Sequence, residues 1–364
     1  MAKFDSKTWN DEVFQKYMSK VEPSRENALI KSNILDSKAN KMARALDEQV
    51  GGNYIVEPIK GVLNGDVQNY DGVESITATS RDTFEQGKIV VGRMKGWAEK
   101  DFSTELSGED YTAEAQEVAE YYEGVDQDDL LAIFKGIFAT TDTGSKDFVN
   151  AHTLNAEKLG ATTINKAITK ACGDKKGKFK MIFANSADVE PLEELQLVDY
   201  LKYTDKDGIT RDLTIGTYNG RLLVIDDAVE AGTVYVVGEK FVEFDNIGAK
   251  HPSAMVRDEM TNGGIETLVT RQRKLFAPKY ISFTKKSMAS NSPTTAELAN
   301  GANWEVVHNG KSGAEKKYIN QITFCKNFFS SFIRKIFFTT SYISFASMFI
   351  FKIFQYFIHK LTSY

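Results

Sequence analysis

The residues of this 364-residue chain that could do chemistry are few and scattered. His152, His251, His308 and His359 stand far apart. None has HExxH spacing and none lies beside a cysteine, so they outline no zinc centre. Cys172 and Cys325 make no disulfide framework. Asp205, Asp207 and Gly208 begin like a calcium loop. The register that needs a glutamate six residues after the glycine has Leu213–Thr214 instead, and a β-turn is expected. GTYNGR, Gly216 to Arg221, lacks the lysine-serine ending of a phosphate loop and is expected to be a hairpin turn. There is no GxSxG and no GxGxxG after a strand. Asp226-Asp227 is the one place where paired carboxylates could do acid–base work. A strand-end acidic turn is the plainer reading, since no catalytic partner can be named. No catalysis, metal or cofactor is expected.

Stepping outward, the chain is organised around DYTAEAQEVAEYYEGVDQDDLLAIFKGIFAT, Asp110 to about Thr140. Ala115, Val118, Ala119 and Tyr122, then Leu130, Ile133, Phe134 and Ile137, recur at helical spacing. About 30 helical residues would make a rod of about 45 Å. Gly124 lies mid-helix and costs about 1 kcal/mol against alanine, which marks a candidate bend.

The flanking segments differ. Residues 1–50 read as a sparse, polar, helical arm. Gly51-Gly52 breaks it, and residues 53–102 read as strands and turns, with Asn64-Gly65 and Asp71-Gly72 as tight-turn dipeptides. Residues 76–80 form an expected strand of low apolar content, paired with a more apolar strand at 88–98. A ribbon so thin would be marginal alone and gains stability on a neighbouring molecule. An α/β region follows: a helix over 162–172, a strand over 179–184, a helix over 191–201 and strands at 222–225 and 233–237. A long strand pattern covers 265–284, a polar connector 287–301, and one more strand Trp304–Val307.

Charge is uneven. Residues before Tyr318 hold 40 bases against 50 acids, and none of the chain's acids lies beyond that point. So acidic a body does not read as a nucleic-acid binder, which would show a basic stripe. The N-terminus has no apolar signal core, so intracellular synthesis is expected.

Several blocks resemble the major capsid proteins of tailed bacteriophages, closest to those of phages of low-GC Gram-positive bacteria. They are TFEQGKIVVGRMKGWAEKDFSTELSG, DLLAIFKGIF, LQLVDYLKYTDKDGITRDLTIGTYNGRLLVIDD, VYVVGEKFVEFDNIGAK and RDEMTNGGIETLVTRQRKLFAPKYISFTKKS. In order and content they cover most of residues 50 to 310. The resemblance implies an α+β, Hong Kong 97-type fold. It would have an N-terminal arm (1–50), an E-loop (51–107) and a peripheral domain with a spine helix (108–157). An axial domain (158–262) and a peripheral return strand with C-terminal segment (263–317) would follow. It implies self-assembly as pentamers and hexamers into an icosahedral shell around double-stranded DNA, with no sequence-specific DNA binding and no membrane. A separate scaffolding protein and a portal are implied partners, and the place is the virion, assembled in the bacterial cytoplasm. Two alternatives stand beside it: an encapsulin-like nanocompartment shell of the same fold and, more remotely, a soluble α/β enzyme centred on Asp226-Asp227.

Residues 318–364 depart from that family. They hold eleven of the 24 phenylalanines, no glycine and no acid. The longest uncharged run, Ile336–Phe351, has 16 residues and five Ser/Thr, short of the roughly 18–20 apolar residues of a membrane span. A membrane anchor, a natural extension and translation out of frame after about codon 320 compete. The Phe, Ile, Lys, Tyr, Asn and Ser content favours the third, which predicts a tail with no native packing partner.

Candidate inter-subunit contacts are Arg93, Lys95 and Trp97 on the ribbon and Arg271 and Arg273 on the long strand. Pairing with a neighbour's acidic surface and plain solvation, at roughly 0–1 kcal/mol each, are equally open.

Overall fold

The computed structural model describes residues 34–37, 52–61, 67–70, 72–73, 75–81, 83–101, 112–140, 142–156, 161–174, 176–204, 210–261, 263–307 and 322–327. In chain order these form β1 (Leu35–Ser37), β2 (Tyr54–Lys60), β3 (Thr83–Lys100), α1 (Thr112–Phe138), α2 (Thr143–His152) and β4 (Thr153–Ala156). Next come α3 (Ala161–Cys172), β5 (Phe179–Ala184), α4 (Ser186–Glu194), β6 (Val198–Thr204), β7 (Thr210–Tyr218), β8 (Arg221–Ile225) and β9 (Thr233–Gly238). β10 (Val242–Asn246), β11 (Ser253–Asp258), β12 (Ile265–Pro278), β13 (Ile281–Phe283), α5 (Thr295–Leu298), β14 (Trp304–Val306) and β15 (Ile322–Asn327) complete the order. The class is α+β, as expected.

Two sheets carry the architecture. One runs β1-β10-β12-β3-β2, with β11 also paired to β12. β3 and β12 are its long members, antiparallel from Ile265↔Lys100 to Leu275↔Val90. The other is seven-stranded, β4-β15-β9-β5-β8-β7-β6. The range 158–262 thus contributes strands to both sheets.

α1 lies where the two sheets meet. Leu130, Ile133, Phe134 and Ile137 are buried with Ile89 and Val91 of β3, Met181 and Phe183 of β5, Tyr235 and Val237 of β9, and Trp304. Burying each large side chain stabilises by about 1.5–3 kcal/mol. Alternation along β5 sends Ile182 and Ala184 to the opposite face, where α3 and α4 cover them through Ile164, Ala167, Ile168, Val189 and Leu192. Toward its N-terminal end α1 uses Val118 and Tyr122 against Leu268, Trp97 and Met255. A Cβ on Gly136 would run into the Leu298 carbonyl and the Trp304 indole, so this glycine sets how closely α1 approaches the 298–304 segment.

Several expectations are corrected. Residues 75–80 are exposed and form no strand; the partner of β3 is β2, in register from Tyr54↔Ile89 to Lys60↔Thr83. The alternating Thr, Ala and Ser side chains there have too little apolar surface to hold a strand against β3. The helix expected at 191–201 starts earlier, at the Asn185 cap, whose side chain accepts from Ala187 N, and it ends at Glu194 before β6. Within the first 50 residues, Leu35–Ser37 is a strand parallel to β10 rather than helix, with Ile34 fully buried. The rest of the arm and the turn at 205–208 lie outside the described residues. The polar connector holds α5, closed by a Thr294–Glu297 capping box.

The tail expectation is corrected in part. Ile322–Asn327 is a strand, antiparallel to β9 and parallel to β4. It fills the slot between strands that have no other link, so this stretch has a packing partner. Residues 328–364 lie outside the described residues. Among the described residues no helix is long and apolar enough to cross a membrane.

Candidate functional site

Register and alternation divide the five candidate contact residues between two faces of the β3–β12 pair. Trp97 sits opposite Leu268, Lys95 opposite Thr270 and Arg93 opposite Gln272. These residues share the face under α1. Arg271 and Arg273, opposite Met94 and Gly92, lie on the other face.

On the α1 face, Arg93 is held inside the subunit. Its Nε and Nη2 donate to the two carboxylate oxygens of Asp129 at 3.0 and 2.7 Å, and Nη1 donates to the Pro293 carbonyl at 2.7 Å. Thr295 Oγ1 donates to the same carboxylate at 2.8 Å. Such a two-pronged pair fixes orientation as well as charge. Trp97 meets Tyr121 and Tyr122 edge-on, with centroids 5.6 and 6.2 Å apart. The Tyr122 hydroxyl donates to the Thr270 carbonyl at 3.1 Å. Asp126, one turn before Asp129, accepts from Gln272 Nε2 at 3.0 Å and pairs with Lys274. Burial pushes its carboxyl above the usual range, against the pull of Lys274. Lys95 is exposed.

On the opposite face Arg271 donates to the His251 carbonyl at 3.1 Å and Arg273 to Asn53 Oδ1 at 2.7 Å. Both are backbone or amide contacts, so neither guanidinium has a carboxylate partner among the described residues. Gly124 lies within unbroken helix, and a Cβ there would meet nothing within 4 Å.

The carboxylate pair at the end of β8 is turn chemistry. Asp227 Oδ1 accepts from Ser186 N at 3.2 Å and Ser186 Oγ at 2.6 Å, and these bonds hold its carboxyl below the usual range. Asp226 Oδ1 accepts from Ala228 N at 2.9 Å, and Gln127 donates to its other oxygen. A general acid at neutral pH needs a raised carboxyl, which is the opposite shift. GTYNGR is the expected hairpin, with Asn219 and Gly220 at φ 50° and 72° joining β7 to β8. Among the described residues no group of three His, Cys, Asp or Glu could hold a metal.

The residues that sequence reasoning missed are apolar. Val67, Tyr70, Val73 and Ile76 are 97, 97, 85 and 89% exposed. They recur every third residue in the segment between β2 and β3. That spacing, preceded by Asn64-Gly65 and interrupted by Asp71-Gly72, was the available signal. Folding leaves these four large apolar side chains in solvent on one short segment.

No protein-family model matches the chain. The major capsid protein of Bacillus phage SPP1 is 23% identical over 312 residues, which is 82% of this chain and 92% of that protein. Among solved structures, the cyanophage Pam1 capsid is 11% identical, covers 89% of this chain and 98% of its own, and superposes with a TM-score of 0.48. A capsid chain of a native GTA particle is 10% identical, with coverage of 70% and 91% and a TM-score of 0.46. The head protein of Helicobacter pylori bacteriophage KHP40 is 10% identical, with coverage of 80% and 87% and a TM-score of 0.43. The sequence similarity extends over most of both chains, and neither the compartment nor the enzyme alternative is favoured by it. Over most of its length the chain is similar to the major capsid protein of Bacillus phage SPP1.

Proposed function

We propose that this chain is the repeating subunit of an icosahedral phage shell and works by self-assembly into pentamers and hexamers. The observation that carries the reading is the exposed apolar segment 67–81. Its side chains gain nothing from folding and would be covered on a neighbouring copy. In this reading residues 1–50 are the arm, 51–107 the E-loop, 108–157 and 263–317 the peripheral domain and 158–262 the axial domain. Assembly takes place in the bacterial cytoplasm on a separate scaffolding protein, around a portal, and the shell encloses double-stranded DNA without reading its sequence. The net acidic body suits a wall that does not hold packed phosphate, because phosphate contacts are made by Lys and Arg. Of the five candidate contact residues, Lys95, Arg271 and Arg273 are the charges left for neighbours.

The test changes the tip and leaves the fold. Replacing Val67, Tyr70, Val73 and Ile76 together by serine should leave thermal unfolding unchanged and abolish particles in electron micrographs. Particles at wild-type yield would remove the segment from the interface. Gly124 is proposed as the bend used when the shell expands. Gly124→Ala should stabilise the isolated subunit by about 1 kcal/mol, because the site has room and alanine is the better helix former. Assembled shells of that variant should expand more slowly; an unchanged rate would show that the glycine is only tolerated.

A further inference from the structure

The face of the seven-stranded sheet opposite α1 carries two helices of opposite charge. On α3, Lys166 and Lys170 are one turn apart and both exposed, and the turn into β5 adds Lys176 and Lys178. On α4, Glu190, Glu193 and Glu194 are all exposed, and Asp199 follows on β6.

Their charged side chains reach opposite edges of the sheet. α3 joins β4 to β5, packs on β4 and β15 and extends to the β7–β8 turn, and α4 joins β5 to β6. Lys170 Nζ donates to the Thr153 carbonyl at 2.8 Å, on β4, the outermost strand. Asn165, on the other side of α3, accepts from Asn219 Nδ2 at 3.1 Å, in the β7–β8 turn. Glu193 accepts from the Tyr200 hydroxyl on β6, the opposite outermost strand. Among the described residues, Lys166, Lys170, Glu190 and Glu194 form no ion pair. Complementary patches on opposite flanks of one domain suit a head-to-tail contact, which closes into a ring when the rotation allows.

We propose that the α3 lysine flank of one copy docks on the α4 glutamate flank of the next, a copy-to-copy contact that orients neighbours around the capsomer axis. The proposal rests on the shell reading and specifies which surfaces meet within the ring. Salt should weaken the contact, because both flanks are exposed. Wrong neighbours, in reversed orientation, would bring like charges together.

The test is a charge swap in the full chain. Lys166→Glu with Lys170→Glu forms one variant, Glu190→Lys with Glu194→Lys a second, and all four changes a third. Surface positions of this kind leave the fold intact, which a thermal melt checks. Sedimentation should show the assembled fraction of each two-site variant reduced by about tenfold, with the four-site variant restored to within about twofold of wild type. In a mixture of the two two-site variants every contact of an alternating ring pairs opposite charges, so assembly should recover in six-membered rings; no recovery on mixing would count against the flank contact. Wild-type assembly in both two-site variants would overturn the flank contact and leave the shell reading standing. A lysine variant whose defect the four-site swap does not restore would show that these lysines serve another partner, and overturns it too. No self-association by the wild-type chain at any concentration would sink the shell reading and this proposal with it.

Discussion

Arg93 shows how a surface-looking charge becomes structural. On the sequence it alternates with apolar strand residues and reads as solvated or as a neighbour's contact. In the fold it sits under α1 and neutralises Asp129, which is 1% exposed. Removing one partner of a buried pair strands the other, so Arg93→Ala should lower stability by about 3 kcal/mol in urea unfolding. Arg271→Ala, on the open face, should cost under about 0.5 kcal/mol and show itself only in assembly. Asp126 gives the pH dependence. Its raised carboxyl binds a proton at higher pH when folded than when unfolded. Its contribution to stability therefore grows as pH falls through the folded pKa and levels off below the unfolded value of about 4. The stability difference between wild type and Asp126→Asn should accordingly rise from about pH 7 to about pH 4 in urea unfolding. A difference that shrinks on acidification would mean that the Lys274 pair outweighs desolvation.

At the scale of elements, α1 was legible because its apolar periodicity is long and uninterrupted apart from Gly124. β5, β8 and β9 were legible because buried strands read as short apolar runs. The partner of β3 was not, since Thr77 and Thr79 alternate as a strand would and nothing local marks that β2, some 30 residues earlier, pairs instead. Nor were Asp126 and Asp129 legible as buried groups, because their partners Lys274 and Arg93 are far away in sequence. β15 was obscured by composition: its six residues open the Phe-rich tail yet occupy a sheet slot. A chain ending at Asn327 should keep the thermal transition of the full chain and be more soluble, because it lacks the Phe-rich, acid-free sequence that favours aggregation. A chain ending at Asn320 should melt well below it, because β4 and the β9 edge lose their shared partner. Equal melting of the two would show that β15 adds nothing to the sheet.

At the scale of the whole molecule, the described surface offers a projecting apolar segment, two oppositely charged flanks and carboxylates engaged in turns and buried pairs. Folding leaves the first two unsatisfied, and the proposed shell would cover both with neighbouring copies. The resemblance in sequence pointed to such a shell, while the surfaces proposed for its contacts emerged only once distant segments were placed side by side. The most direct test is cryo-electron microscopy of the purified chain, alone and with a co-expressed scaffolding protein. Curved or closed shells built of five- and six-membered rings, with residues 67–81 lying on the adjacent copy, are the predicted result. A monodisperse monomer under both conditions, or shells in which that segment touches only its own subunit, would contradict the account.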